Sequence, residues 1–223
     1  MRQPRRVEGS VNARTSGLTP LAIFDMSTAH WRQIAPEHAR SLYSGDGRRK
    51  YLNAEERRAF IDAAANEDHA TRALCLTLAF TGCRISEALA LTISSVQPGS
   101  NLIAIRSLKK RGRVMVREIP VPDDLVRLLL QGRQDDQPEM PIWSFGRTFA
   151  WQRVKAVMAK ASVSGLHASP RGLRHSFAVT AVLSGVPLTL VQKWLGHASL
   201  VTTAIYADVV GPEEREIAQR MWN

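Results

Sequence analysis

The chain holds only two cysteines in 223 residues, Cys75 and Cys83; they form no Cys-x-x-Cys pair, and no histidine is placed to complete a zinc site with them. Eight residues apart in an apolar helical stretch, they read as buried thiols in a reducing compartment. Long hydrophobic runs are missing too: no stretch reaches the ~18 apolar residues that a membrane span needs. The arginines near the start, Arg2, Arg5, Arg6 and Arg14, have no apolar segment behind them and do not read as a signal peptide. The expectation is a soluble, cytoplasmic protein with no membrane partner. Internal repeats and low-complexity tracts are absent, and 44% hydrophobic with 22% charged residues is the composition of a chain that buries a core. Acidic residues are the minority charge, 20 Asp and Glu against 30 Lys and Arg, for a net +10. A polyanion is the first partner to consider, but a solvated basic surface gives the same total, so placement must decide.

Residues 1 to about 50 lack sustained periodicity and end in Gly45, Asp46, Gly47 and the basic run Arg48, Arg49, Lys50. They read as an arm and linker with at most a short helix around Pro36 to Tyr43. Asn53 with Glu56 three residues on predicts a capping box, followed by a helix over Ala54–Ala65. Further helices are predicted at about Ala70 to Phe80 and Arg84 to Ala90. The period then changes: Asn101–Arg106 and Val114–Pro120 are rich in Val and Ile and flank Lys109, Lys110, Arg111, Gly112 and Arg113, a β-hairpin with a basic turn. Helical spacing returns at about Asp123–Gln131, Arg147–Ala161, Arg171–Leu183, Pro187–Leu195, Leu200–Ala207 and Pro212–Trp222. The fold class is α+β, mainly α-helical with a small antiparallel β-sheet.

Three segments concentrate chemistry. In Thr81-Gly82-Cys83-Arg84-Ile85-Ser86-Glu87, an arginine opens a helix just after a glycine turn; helix starts favour anions, and a guanidinium there grips two phosphate oxygens. The bland reading is a surface arginine paired with Glu87. In Ser169-Pro170-Arg171-Gly172-Leu173-Arg174-His175, two arginines and a histidine crowd the first turns of a helix. Cations there oppose the macrodipole unless an anion sits among them, and such a broken local rule marks functional sites. The third segment is Leu195-Gly196-His197-Ala198-Ser199, with Tyr206 on the helix that follows. A lone Tyr or His is more often a packed core or rim residue, so only the ordered combination is informative.

Taken together, these motifs resemble the tyrosine recombinases, the phage integrase family, over about Tyr51 to Ala207. That resemblance implies the DNA breaking-rejoining catalytic fold and a catalytic set of Arg84, a hairpin lysine, Arg174, His197 and Tyr206. The lysine is Lys109 or Lys110, with Lys109 preferred. It also implies attack by Tyr206 on a DNA phosphorus, a 3′-phosphotyrosyl bond and a free 5′-hydroxyl, with no metal, ATP or other cofactor. The expected partners are double-stranded DNA, other recombinase protomers in a synaptic complex, and an accessory DNA-binding protein. No cluster of Asp and Glu accompanies these residues, which argues against a two-metal nuclease.

One position departs from the pattern. The family's His-x-x-Arg box reads Arg171-Gly172-Leu173-Arg174, so an arginine stands where the resemblance implies a proton-handling histidine. Arginine stays protonated and cannot serve readily as a base, yet it can still donate to a phosphate oxygen. Arg171 is therefore expected to act electrostatically. Its presence leaves open a degenerate recombinase that binds DNA without cutting; a transcriptional or partition factor with basic helices is the other class to weigh. The expected organisation is a basic arm over 1–50 with no full DNA-clamping domain, a catalytic domain over 51–210, and a C-terminal helix over 211–223 that docks on a neighbouring protomer.

Overall fold

Helix α1, Ala54–Ala65, starts as its sequence predicts: Asn53 Oδ1 accepts the Glu56 N–H at 2.8 Å, and Glu56 accepts the Asn53 N–H at 2.8 Å. The computed structural model describes residues 41–108, 114–133, 135–207, 219 and 222. The basic turn 109–113, most of the 211–223 segment and the arm through residue 40 lie outside the described residues.

Helices α2 (His69–Thr81) and α3 (Ile85–Leu89) are followed by a three-stranded antiparallel sheet of β1 (Val96–Gln97), β2 (Leu102–Leu108) and β3 (Val114–Pro120), in spatial order β1-β2-β3. The hairpin register pairs Leu102 with Pro120, Ile105 with Arg117 and Leu108 with Val114. Alternation sends Ile103, Ile105 and Ile119 into the core, and Arg117 shares that buried phase. Five helices complete the order: α4 (Asp123–Leu130), α5 (Arg147–Lys160), α6 (Pro170–Leu183), α7 (Leu188–Leu195) and α8 (Val201–Ala204).

The main core packs Phe60, Leu74, Leu78, Ile105, Leu129 and Met158. A second, smaller cluster gathers Leu42, Tyr51, Val179, Val191, Leu195 and Tyr206 against α6 and α7. Cys75 and Cys83 are free and buried as expected; burial pushes their thiols up to about 12 and about 11, so neither is a thiolate at neutral pH. Among the described residues no helix is long and apolar enough to cross a membrane.

The structure differs from the sequence reading in four places. Tyr43 is not helical but forms an antiparallel bridge with Arg49, because the Gly45-Asp46-Gly47 turn folds the chain back. Leu42, at 2% exposed, belongs to the smaller core, so folded structure reaches back before residue 51. The two-residue strand β1 is too short to show a period, and only its pairing with β2 reveals it. Helix α8 stops at Ala204, leaving Ile205 to Ala207 as turns.

Candidate active site

Helix α2 ends on Gly82 at φ +60°, and a Cβ there would lie 2.4 Å from the Phe177 ring. Both the left-handed backbone and the close approach require glycine. That turn delivers Arg84 to the start of α3, where its side chain is half exposed and its Nη1 donates to Glu87 Oε1 at 2.8 Å. The pairing that the bland reading foresaw does form. It fixes the guanidinium without withdrawing it from the cleft, which Arg84 lines.

Glu87 itself is buried, and its other oxygen accepts from Arg117 Nη2 at 2.6 Å, while Arg117 Nε donates to the Trp194 carbonyl at 2.6 Å. Burial alone would raise the Glu87 carboxyl. The Arg117 hydrogen bond, the Arg84 N–H and the charges of both arginines outweigh it and hold the group below the usual 4.5. Sequence reading missed Arg117; its place in phase with Ile119 on an alternating strand was the available signal.

Helix α6 starts with Ser169 as N-cap, its Oγ accepting the Gly172 N–H at 3.1 Å, and Pro170 in the first turn. Gly172 lies so close to the preceding loop that a Cβ would sit 1.8 Å from the His167 carbonyl oxygen. Arg171 is exposed and Arg174 is buried, at 8% exposed. Arg174 Nη1 donates to the Gly82 carbonyl at 2.8 Å and Nη2 to the Leu195 carbonyl at 2.6 Å. One guanidinium thus ties together the turns that carry Arg84 and His197. Burial first, and then the Arg84 charge, lower Arg174 to about 10, so it stays cationic at neutral pH.

Helix α7 ends on Gly196, and His197 follows with its Nδ1 2.9 Å from Thr203 Oγ1. The His197 ring lies nearly parallel to that of Tyr206, 6.4 Å between centres. Tyr206 is 1% exposed, and its Oη is 3.0 Å from Nδ1 of His175. Burial raises the Tyr206 phenol above its ordinary 10, against the opposing pull of the Arg174 and Arg171 charges. His175 is pushed down to about 4 by burial and then by the charges of Arg171, Arg174 and Lys50, so it is neutral at pH 7.

Arg84, Arg171, Arg174, His197 and Tyr206 all line one cleft of about 500 Å³. Lys109 lies outside the described residues. Arg147 and Trp151, four apart on α5 and hence on one face, are wall residues that the sequence reading missed; His175, which lies in the second motif segment but was given no catalytic role, is another wall residue. Among the described residues the lining holds four arginines and no carboxylate, which makes a receptor for an anion with several oxygens.

Residues 50–211 match the model of the phage integrase family. The chain is 31% identical to the tyrosine recombinase XerA of Pyrococcus furiosus over 181 residues, 77% of this chain and 61% of the relative. It is also 31% identical to the tyrosine recombinase XerD of Mycobacterium leprae over 194 residues, again 77% and 61%. It therefore spans about three-fifths of the length of these curated relatives. Among solved structures, the XerA recombinase crystal structure is similar with a TM-score of 0.64 at 26% identity, over 77% of this chain and 64% of that one. The catalytic domain of bacteriophage HP1 integrase shares the fold, with a TM-score of 0.55 at 21% identity over 76% of this chain and 93% of its own. Sequence, fold and the clustering of Arg84, Arg174, His197 and Tyr206 agree: the chain belongs to the phage integrase family, and its fold is that of a tyrosine recombinase catalytic domain.

Proposed function

We propose that this chain cuts and rejoins DNA as a site-specific recombinase, with Tyr206 as the nucleophile. The observation that carries the reading is the convergence of Arg84, Arg174, His197 and Tyr206, from segments up to more than 100 positions apart in the sequence, on one cationic cleft. The Tyr206 oxygen attacks the scissile phosphorus, the bond from phosphorus to the 5′-oxygen breaks, and a 3′-phosphotyrosyl bond stores the energy for rejoining. The departing 5′-oxygen takes a proton and leaves as a hydroxyl; Lys109, just beyond the end of β2, is the donor that the family resemblance supplies. Attack by a 5′-hydroxyl of the partner strand reverses the step and completes exchange. Charge on the non-bridging oxygens grows in the transition state, and Arg84, Arg171, Arg174 and His197, which line the cleft, are the donors that the reading assigns to it. Metal and ATP have no part in this sequence of steps.

Double-stranded DNA is the substrate, and strand exchange requires further protomers on neighbouring half-sites. An accessory DNA-binding protein and the docking of residues 211–223 on a neighbour belong to the same reading, as does the division into arm, catalytic domain and C-terminal helix. The test is incubation with a suicide substrate nicked beside the cleavage point, followed by denaturing electrophoresis. A covalent protein–DNA band is expected, absent from Tyr206→Phe, which should still fold and bind DNA. An adduct formed by the Phe variant would sink the assignment of Tyr206; DNA binding with no adduct from the unaltered chain would make it a non-cleaving DNA-binding protein.

A further inference from the structure

The position where the family resemblance implies a histidine holds Arg171, yet the nucleophile is not without an imidazole. His175, one helical turn further along α6, has Nδ1 3.0 Å from Tyr206 Oη, and its Nε2 lies 3.4 Å from Arg171 Nε. Arginine offers only donors, so the Arg171 Nε–H requires a lone pair on Nε2. A neutral imidazole with its lone pair on Nε2 carries its proton on Nδ1. We propose that Arg171 and His175 form a donor relay to the nucleophile, in which Arg171 holds His175 as the Nδ1–H tautomer and that N–H donates to the Tyr206 oxygen. Under this arrangement His175 is a catalytic residue, since it touches the reacting atom, and Arg171 is a positioning residue that acts through it.

The relay changes what the missing histidine means. With Nδ1 already protonated, His175 takes no proton from the phenol. The phenolic hydrogen points away from the imidazole into the cleft and leaves there to solvent, while the Nδ1–H bond stabilises the negative oxygen that attacks phosphorus. A protonated imidazole is disfavoured first by burial and then by the surrounding cations, Arg171, Arg174 and Lys50, and the stacked His197 ring completes the wall around the phenol. The low proton affinity of His175 agrees with a donor and opposes a base that works near neutrality. An arginine in the first position of the box is then not a defect but the means of setting the tautomer.

This inference rests on the recombinase reading, and its first measurement is independent of cleavage. The chain has three tyrosines, so labelling the tyrosine ring carbon next to the hydroxyl and assigning with Tyr206→Phe lets the Tyr206 titration be followed by NMR without DNA. His175→Leu keeps apolar bulk but has no donor, whereas His175→Asn keeps an N–H close to the Nδ1 position and has no tautomer to set. Tyr206 is expected to titrate at higher pH in the Leu variant and to return towards the unaltered chain in the Asn variant. Cleavage should fall in the Leu variant on the order of 10²-fold, the usual cost of one lost donor to a developing negative charge. The Asn variant should recover most of that loss. Arg171→Leu should raise the Tyr206 titration more when His175 is in place than when it is combined with His175→Asn; the direct effect of the Arg171 charge is common to both backgrounds and cancels in the cycle. An unchanged Tyr206 titration in folded His175→Leu, or an Asn variant no better than Leu, overturns the relay. If the titrations behave as stated and no variant, nor the unaltered chain, cleaves DNA, the relay stands and the recombinase reading fails.

Discussion

Arg174 donates to two carbonyls, Gly82 at 2.8 Å and Leu195 at 2.6 Å, and still lines the cleft. A planar fork with five donors can divide itself this way, but an ammonium on a flexible stem cannot. Arg174→Lys is therefore expected to lose cleavage by about 10²–10³-fold, even though charge is retained. It should also lower thermal stability, since buried carbonyls left without donors cost about 1–3 kcal/mol each. Adduct formation on a suicide substrate and a melting curve check both; near-normal cleavage by the Lys variant would remove Arg174 from the transition state. The residue types of this site were legible in the sequence, because Arg84, Arg174, His197 and Tyr206 sit in ordered local motifs. What they touch was not, because the Gly82 and Leu195 carbonyls reach Arg174 only through the tertiary fold. The same holds for His175, adjacent to Arg174 in the chain, whose contact with Tyr206 spans 31 positions.

Helices and strands here are held in register by buried charge as well as by apolar packing. Arg117 on β3 reaches Glu87 on α3 and the Trp194 carbonyl on α7, so one strand residue braces the helix behind Arg84 and the helix before His197. Removing one member of a buried pair leaves the other uncompensated. Arg117→Met should destabilise the fold by about 3–5 kcal/mol in urea, and the double replacement with Glu87→Leu should cost less than the sum of the two single changes. Additive losses would show that the two groups do not depend on each other. The pair also sets an acid limit. Glu87 is held below 4.5 in the fold, so the stability it contributes is fully present above pH 4.5 and is lost as pH falls through the lower folded value. Unfolding free energy measured between pH 3 and 6 (about the window in which carboxylates titrate) should therefore drop less steeply in Arg117→Met than in the unaltered chain. Element types were readable from periodicity and caps: Asn53 with Glu56 and the Val- and Ile-rich hairpin announce themselves locally. The two-residue β1 does not, since it is too short to show a period and only its pairing with β2 defines it.

For the molecule as a whole, the net charge of +10 becomes informative once its placement is known. Arg84, Arg147, Arg171 and Arg174 face one cleft, where a duplex backbone would place neighbouring phosphates. Each phosphate neutralised releases condensed counterions and contributes about −0.9 to the slope of log affinity against log salt for double-stranded DNA. Four such contacts give a slope of about −3.6 for this 223-residue chain on duplex DNA, steeper if the basic residues of 109–113 or the Arg48 to Lys50 run add contacts. Arg147 is the informative position, because it lies on α5, outside all three motif segments. Arg147→Gln is expected to weaken binding to every DNA sequence alike and to make the slope shallower by about 0.9, as loss of one phosphate contact requires. Titrations between about 50 and 200 mM salt, on a cleavage site and on unrelated duplex, measure both quantities. An unchanged slope with Arg147→Gln would place the backbone away from α5. Tight binding by the unaltered chain that ignores salt would mean that base contacts, rather than the arginine cleft, hold the DNA.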